Sequence, residues 1–360
     1  MAPSFYRIGN PDITWETTTN FNIGLEFGVL DNRLTGSFDF YNKKTSDLLF
    51  WLSVPESLGS RGYYGNLGDI RNTGVELQLT GAIIRNKLID WTINFNLSHN
   101  RTKILKLPKS KTQNLGGFME SDDSHIVSMW MEEGGSLYNL LLPECAGIDP
   151  ETGQQLYWQD SNLTSENSAG QMASLTDRPG KLRDLKTTNP NLATRYCQGT
   201  NLPDVYGGFG TTIKIGSFDA SASFDYQIGG KLFDTRYMNY MDPSQGGNGA
   251  NFHKDWKNSW TPEKHTNIPH WQYNDQYITA KSDRFLTDAS YLNFSSFTVG
   301  YTLPKFWDEI SNIRIYCQGE NLCFWSKRKG FDPRYSFSSG ASVADYNAVR
   351  TISGGIQVQF

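Results

Sequence analysis

The sequence predicts an all-β fold of about nine antiparallel strands, forming part of the wall of a large transmembrane β-barrel. Three observations carry this. Apolar and polar residues alternate with period two in nine stretches, each roughly 13–17 residues long, against the roughly five or six usual in soluble sheets. The connections are short on one side (30–32, 85–88, 216–217 and 304–312) and long on the other (49–68, 106–202, 231–288 and 326–346). Outer-membrane barrels have the same asymmetry between periplasmic turns and extracellular loops. No uncharged apolar run of about 18 residues occurs, so no transmembrane helix is expected.

In chain order, Phe21, Ile23, Leu25, Phe27 and Val29 alternate with Asn22, Gly24, Glu26 and Gly28, which defines a strand. Past a turn at Leu30-Asp31-Asn32, Leu34, Phe38 and Phe40 oppose Arg33, Thr35, Ser37, Asp39 and Tyr41, completing a tight hairpin. A second hairpin sets Val75, Leu77 and Leu79 against Glu76, Gln78 and Thr80. It turns near Arg85–Leu88 and returns with Ile89, Trp91, Ile93, Phe95 and Leu97 opposed by Asp90, Thr92, Asn94, Asn96 and Ser98. A third turns at Gly216-Ser217. It joins Phe209, Ile213 and Ile215 to Phe218, Ala220, Ala222, Phe224, Tyr226 and Ile228, with Asp219, Ser221, Ser223, Asp225 and Gln227 between the latter. Strands over about 289–303, 313–325 and 347–360 complete the set. Single-chain bacterial barrels generally close with an even number of strands. An odd count leaves two edges, and an unsatisfied backbone group in lipid costs several kcal/mol. The chain therefore reads as part of a barrel.

Composition narrows the function classes. The 10 Trp, 18 Tyr and 21 Phe, with charged residues at only 19%, disfavour disorder and coiled coil. A net charge of −4 without a basic block argues against nucleic acid. Cys145, Cys197, Cys317 and Cys323 lack CxxC spacing, and His99, His125, His253, His265 and His270 are scattered, so no metal site or cofactor is expected. Cys145 and Cys197 share one irregular segment. They either form a disulfide in an oxidising compartment, the outcome the shared segment predicts, or stay as thiols. The paired carboxylates Asp122-Asp123 and Glu132-Glu133 are adjacent, which does not set up the two carboxyls across a cleft that glycosidase chemistry needs. The DPETG run, 149–153, lacks calcium-loop spacing and suits a tight turn. No catalytic constellation emerges, and the chain is expected not to be an enzyme.

The segment NPDITWETTTNFNIGLEFGVLDNRLTGSFDFYNKKTSDLL (10–49) closely resembles the C-terminal half of the SusC/RagA-like family of TonB-dependent outer-membrane transporters. Collinear matches follow: GNLGDIRNTGVELQLTG (65–81), AGIDPETGQQLYW (146–158), LPDVYGGFGTTIKIGSFDASASFDYQIGGKLFD (202–234), SYLNFSSFTVGYTLP (290–304), IRIYCQGENL (313–322), KGFDPR (329–334) and a last strand ending in Phe360. The resemblance covers nearly the whole chain. It implies a barrel of about 22 strands with a plugged lumen, of which residues 1–360 would be the C-terminal part, located in the cell outer membrane. It also implies import of oligosaccharides or peptides, energised through the TonB system, with a SusD-like lipoprotein as the extracellular lid. No signal peptide, plug or TonB box is recognisable, so a fragmented gene, a split protein or a deliberately cut piece are the alternatives, completed by an N-terminal plug and further strands. The alternative is a secreted or surface carbohydrate-binding or adhesive β-module.

Candidate binding residues are the loop aromatics. Trp51, Tyr63 and Tyr64 fall in the first long loop; Trp130, Tyr138, Tyr157 and Trp158 in the second; Trp256, Trp260, Trp271 and Tyr273 in the third. Such residues stack on sugars and anchor protein interfaces, so packing within the loops, contact with the lid and contact with a glycan or peptide all remain open. Glu26, Asp39, Glu76, Asp90, Asp219 and Asp225 are expected to face the lumen, hydrogen-bonding to a plug or hydrating the wall. Phe360 is either a lipid-facing girdle residue or, as the resemblance implies, the terminal signal for barrel assembly.

Overall fold

The computed structural model describes residues 8–54, 57, 59–60, 62–108, 117–120, 129–161, 182–244, 251–273, 275, 278–304, 310–328, 331–335 and 348–360. The alternating stretches at the start form β1 (Thr17–Val29), β2 (Leu34–Ser53), β3 (Gly62–Arg85) and β4 (Ile89–Lys106). Seven short strands follow: β5 (Gly117–Glu120), β6 (Met129–Glu132), β7 (Asn139–Pro143), β8 (Cys145–Ile148), β9 (Gln155–Gln159), β10 (Leu185–Thr187) and β11 (Arg195–Thr200). Long strands resume with β12 (Val205–Ile215) and β13 (Phe218–Ile228). Next come β14 (Lys231–Phe233), helix α1 (Thr235–Tyr240) and β15 (Leu286–Asp288). β16 (Tyr291–Thr302), β17 (Asn312–Ser326) and β18 (Thr351–Gln359) end the chain.

Nine of these strands make one antiparallel sheet in the order β1-β2-β3-β4-β12-β13-β16-β17-β18, so every wall strand pairs with its neighbour in the sequence of long strands. The register carries the period-two pattern across the sheet. Glu26 pairs with Ser37, Ser37 with Gln78, Gln78 with Asn96, Asn96 with Gly208, and Gly208 with Asp225. Asp39 pairs with Glu76, and Asp90 with Lys214, which pairs with Asp219. All six predicted carboxylates therefore stand on one face. The opposite face carries Leu25, Phe38, Leu77, Phe95 and Phe209 and, past a bulge between Phe294 and Ser296, continues through Phe297, Val299, Ile315 and Ile356. Nothing among the described residues covers it: Leu25 is 62% exposed, Phe218 59% and Ile356 68%. An uncovered apolar face of this size is stable only against lipid or another apolar surface.

Local chemistry fixes the short turns. Leu30, Asp31 and Asn32 all take positive φ, a conformation that Asp and Asn tolerate and that costs a residue such as Leu roughly 1–2 kcal/mol. The Asn86 side chain accepts from the amides of Leu88 and Ile89 (2.9 and 2.8 Å), closing the second turn. Gly216, at φ 56°, makes the two-residue third turn.

Most of the buried core lies in the long connections; Leu52, Ala82 and Ile104 are the buried apolar residues of the wall strands among those described. β5, β6, β7 and β11 form one small sheet, β8, β9 and β10 another, and β14 pairs with β15. Leu140 and Leu142 of β7 pack on Phe233 and Phe285 with almost no exposure, flanked by Tyr237, Met238 and Leu286. The second and third connections thus share one core. The backbone N–H of Cys145 donates to Asp283 (2.8 Å), and the Arg284 Nε donates to Gln155 (2.8 Å) across the same junction.

Three expectations change. The segment 49–68 is mostly paired strand, since β2 and β3 stay in register as far as Ser53 and Gly62; bulges near Leu48 let the ladder continue beyond the apolar face. Wall-strand lengths run from 9 residues in β18 to 24 in β3, wider than expected, because hairpin ladders extend past the apolar band on some strands only. Finally, Cys145 and Cys197 are thiols, not a disulfide. They lie on different small sheets, Cys145 against Tyr157 of β9 and Cys197 against Leu141 of β7. Asp122, Asp123 and His125 lie outside the described residues, as do parts of the 304–312 and 326–346 connections. Among the described residues no helix is long and apolar enough to cross a membrane.

Ile93, central on the apolar stretch of β4, tests the assignment of faces. Ile93→Lys in the bilayer-assembled protein should cost about 2–4 kcal/mol, the penalty for a basic residue near the midplane. Thr92→Lys on the opposite face should cost well under half of that. Urea unfolding in liposomes reads both, and equal costs would refute the assignment. Peptide mapping without reduction should recover Cys145 and Cys197 as separate alkylatable thiols.

Candidate functional site

The site is built at the long-connection end of the wall, where the loop unit sits over the polar face. A recess of about 710 Å³ is lined by Asn96, Asn100 and Thr102 of β4, Tyr206 of β12, Asp225 and Gln227 of β13, Tyr291 of β16 and Tyr138 of the loop unit. Asp225 accepts from Asn293 Nδ2 at 2.9 Å, and the Asn100 Oδ1 is buried without a partner among the described residues. Three tyrosines with amide and carboxylate groups can stack on and hydrogen-bond to a polar oligomer. The sequence reading missed Tyr206, Tyr291, Asn96 and Asn100. The available signal was their polar parity at the strand ends nearest the long loops.

The predicted loop aromatics separate into two groups. Trp130, Tyr157 and Trp260 are buried. Trp130 donates its Nε1–H to Glu132 Oε2 at 2.8 Å inside the loop unit. Trp260 stacks on His265 and packs over Gly153, whose φ of +71° and missing side chain let the DPETG turn lie under the indole. Asp149 accepts from the amides of Glu151 and Thr152 (2.8 and 3.0 Å), so that carboxylate caps its own turn. These are packing residues, which corrects the expectation of a binding role for Trp130 and Trp260. Trp51 and Tyr64 meet edge-on at 5.1 Å on the paired ends of β2 and β3, beside half-buried Tyr63. Trp158 lies under the Lys186 ammonium at 4.7 Å. Trp256 and Trp271 approach to 5.4 Å, Trp271 holds Phe252 edge-on at 4.9 Å, and its Nε1–H donates to the Met241 carbonyl. Trp256 and Tyr273 are the most exposed of the third-connection set, at 38% and 63%.

The six carboxylates on the polar face also differ. Asp219 is clamped by Arg314, whose Nε lies 2.9 Å from Oδ1 and whose Nη2 lies 2.5 Å from Oδ2. Arg314 reaches from β17 to β13 across Gly300, the intervening position on β16, where any side chain would collide with the guanidinium. Glu26, Asp39, Glu76 and Asp90 make no side-chain hydrogen bond among the described residues, leaving them available to water or another segment.

Electrostatics within the loop unit favours rigidity over reactivity. Burial pushes the Cys145 and Cys197 thiols up to about 12, so neither is a thiolate near neutrality. Burial raises the Asp283 carboxyl, against the opposing hydrogen bond from Cys145. Burial would also raise Glu144, but the Arg183 fork (2.6 and 2.7 Å), Gln198 and the Arg183 charge together outweigh it and hold Glu144 below the usual carboxylate range.

A two-faced antiparallel wall with an uncovered apolar side, a polar lumen side and folded loops at one rim defines an outer-membrane β-barrel protein. The chain belongs to the TonB dependent receptor-like, beta-barrel family, which it matches over residues 1–322. It is similar to TonB-dependent receptor P3 of Formosa agariphila, 27% identical over 98% of this chain and 35% of that one. It is also similar to TonB-dependent receptor SusC of Bacteroides thetaiotaomicron, 24% identical over 98% of this chain and 32% of that one. The RagAB peptide importer in its closed-closed state aligns with a TM-score of 0.77 at 27% identity, over 98% of this chain and 36% of the other. The chain thus spans about a third of the length of these relatives. The SusC/RagA resemblance holds, the location is the outer membrane, and the family is one of receptors and transporters, not enzymes. Neither the membrane location nor the uncovered apolar face suits a water-soluble module.

The Glu144–Arg183 pair predicts a pH dependence. A carboxyl lowered in the folded state contributes its full stability above the unfolded value, and loses it as pH falls through the folded one. Arg183→Gln removes the opposing charge and leaves burial in control, so ionised Glu144 should destabilise β8 and β9 and be relieved as acid protonates it. Hydrogen exchange should show lower protection of β9 amides in the variant than in the parent at about pH 6, with the difference shrinking at about pH 4, where the variant's carboxyl is protonated and the parent begins to lose its pair. Identical profiles would show that the pair contributes nothing.

Proposed function

We propose that this chain is the C-terminal wall and loop segment of a TonB-dependent importer of oligosaccharides or peptides. In this reading a plug and further strands complete the barrel, and a SusD-like lipoprotein closes the extracellular mouth. The observation that carries the reading is the loop unit packed above the lumenal recess, with Trp256 and Tyr273 left exposed on the third connection. Exposed aromatics beside a folded rim suit a docked lid, while the recess of tyrosines and amides suits a polar oligomer on its way into the lumen. Glu26, Asp39, Glu76 and Asp90 supply hydrogen-bond acceptors for the plug, and Phe360, whose parity puts it on the apolar face, ends the last strand as the assembly signal. No step involves covalent chemistry: uptake is binding, lid closure and energised movement of the plug.

The test uses the whole transporter with its lipoprotein. Replacing Trp256 and Tyr273 together by Ala should weaken co-purification of the lipoprotein about ten-fold, the effect of losing roughly 1.4 kcal/mol at an interface. Tyr206→Ala with Tyr291→Ala should leave the lid bound and lower oligomer uptake. Undiminished lid binding in the first variant would remove the third connection from the docking surface.

A further inference from the structure

The geometry points to a binding site for a phosphorylated lipid of the outer leaflet on the outside of the wall, formed by Lys44, Arg71, Arg101 and Lys103. Lys44 of β2 pairs in register with Arg71 of β3, and Arg71 pairs with Lys103 of β4. Arg101 lies two residues from Lys103 along β4, opposite Thr73. No bulge separates these positions from Phe40, Val75 and Leu97, so parity puts all four cations on the apolar face. Directly opposed like charges in an antiparallel sheet, with Cβ atoms only about 5 Å apart, repel one another. Lys44 is relieved by Asp69 at 2.9 Å. Arg71, Arg101 and Lys103 are exposed, and among the described residues none has a hydrogen bond or ion pair. A row of four cations in which only Lys44 has an internal counter-charge calls for an external anion.

Position identifies that anion. The four residues lie at the end of the wall opposite the 30–33 and 86–88 turns, which is the extracellular rim of a barrel with short periplasmic turns. Below them on the same face the register runs through Asn42 and Thr73, then Phe40, Val75 and His99, then Phe38, Leu77 and Leu97. A ligand that fits both parts has phosphate at the height of the guanidinium groups and acyl chains along the aliphatic and aromatic rows. Arginine forks bind phosphate oxygens two at a time, and the apolar stretch beneath retains the tails. A free anion would use only the first part, and an acidic protein segment would leave the rows below it uncovered.

The experiment uses the full-length transporter in detergent, titrated with diphosphorylated lipid A, dephosphorylated lipid A and inorganic phosphate, with native mass spectrometry counting retained ligand. The wild-type protein should bind the diphosphorylated lipid at least ten-fold more tightly than the dephosphorylated one, and this preference should shrink as salt rises. The combined Arg71→Gln, Arg101→Gln and Lys103→Gln variant should lose the preference. Lys43→Gln, one residue from Lys44 but on the lumen face, should keep it. The substituted side chains are exposed, and an unchanged heat-modifiable band confirms folding. Equal binding of the two lipids by the wild-type protein, or retention of the preference in the triple variant, overturns the proposal. So does inorganic phosphate displacing the lipid at equal concentration, which would mark a free-anion site.

Discussion

Strand register is the constraint on which this structure depends. Because side chains alternate, a slip of one residue in any ladder would exchange the lipid-facing set for the lumen-facing set along that entire strand. The eight ladders avoid this together: from Glu26 through Ser37, Gln78, Asn96 and Gly208 to Asp225, one polar row crosses six strands without interruption. In a soluble sheet the cost of an error is partial, since water serves either face. In a bilayer the mis-set face would put carboxylates into hydrocarbon, so membrane and register enforce each other.

The wall therefore needs little side-chain packing of its own, and apart from Ile104 of β4 the large, fully buried apolar residues among those described lie elsewhere. Leu140, Leu142, Phe233 and Phe285 tie the second connection to the third, and Trp260 over Gly153 does so again at a second point. Folding the two connections into one body limits how far each can move alone. If the rim holds a partner above the lumen, as proposed, such preorganisation means that less conformational freedom is lost on docking. Inside the wall, the Arg314–Asp219 fork spans three strands by way of Gly300, a polar crosslink in a region where aliphatic packing is unavailable.

The wall was legible in the sequence because period two is a local signal. The Gly216 turn, the Asn86 turn and the separation of Glu76 from Leu77 all follow from nearest neighbours. The loop unit was not, since its determinants are distant pairs: nothing near Cys145 announces Asp283, and nothing near Gly153 announces Trp260. The same limit explains the treatment of the aromatics. Composition put Trp130 and Trp256 in one class, whereas burial separates an indole hydrogen-bonded to Glu132 from one left at the surface. The segment 49–68 was misjudged for a different reason. Its bulges near Leu48 break the alternation that would have extended β2 and β3.

β1 and β18 each have one neighbour in this sheet, and each presents an unpaired row of backbone groups. In a membrane such rows must be met by further strands. The relatives, about three times as long, have length to spare for them. β18 also carries two adjacent glycines at its centre, Gly354-Gly355, facing Cys317 and Tyr316. There the Tyr316 ring lies over Gly355, occupying space that a side chain would otherwise fill. An edge built this way is held to β17 mainly by its ladder, with little side-chain interlocking. Its lasting order in the bilayer then depends on the strand that pairs with its other side, so the polar face becomes a lumen wall only when the barrel is closed.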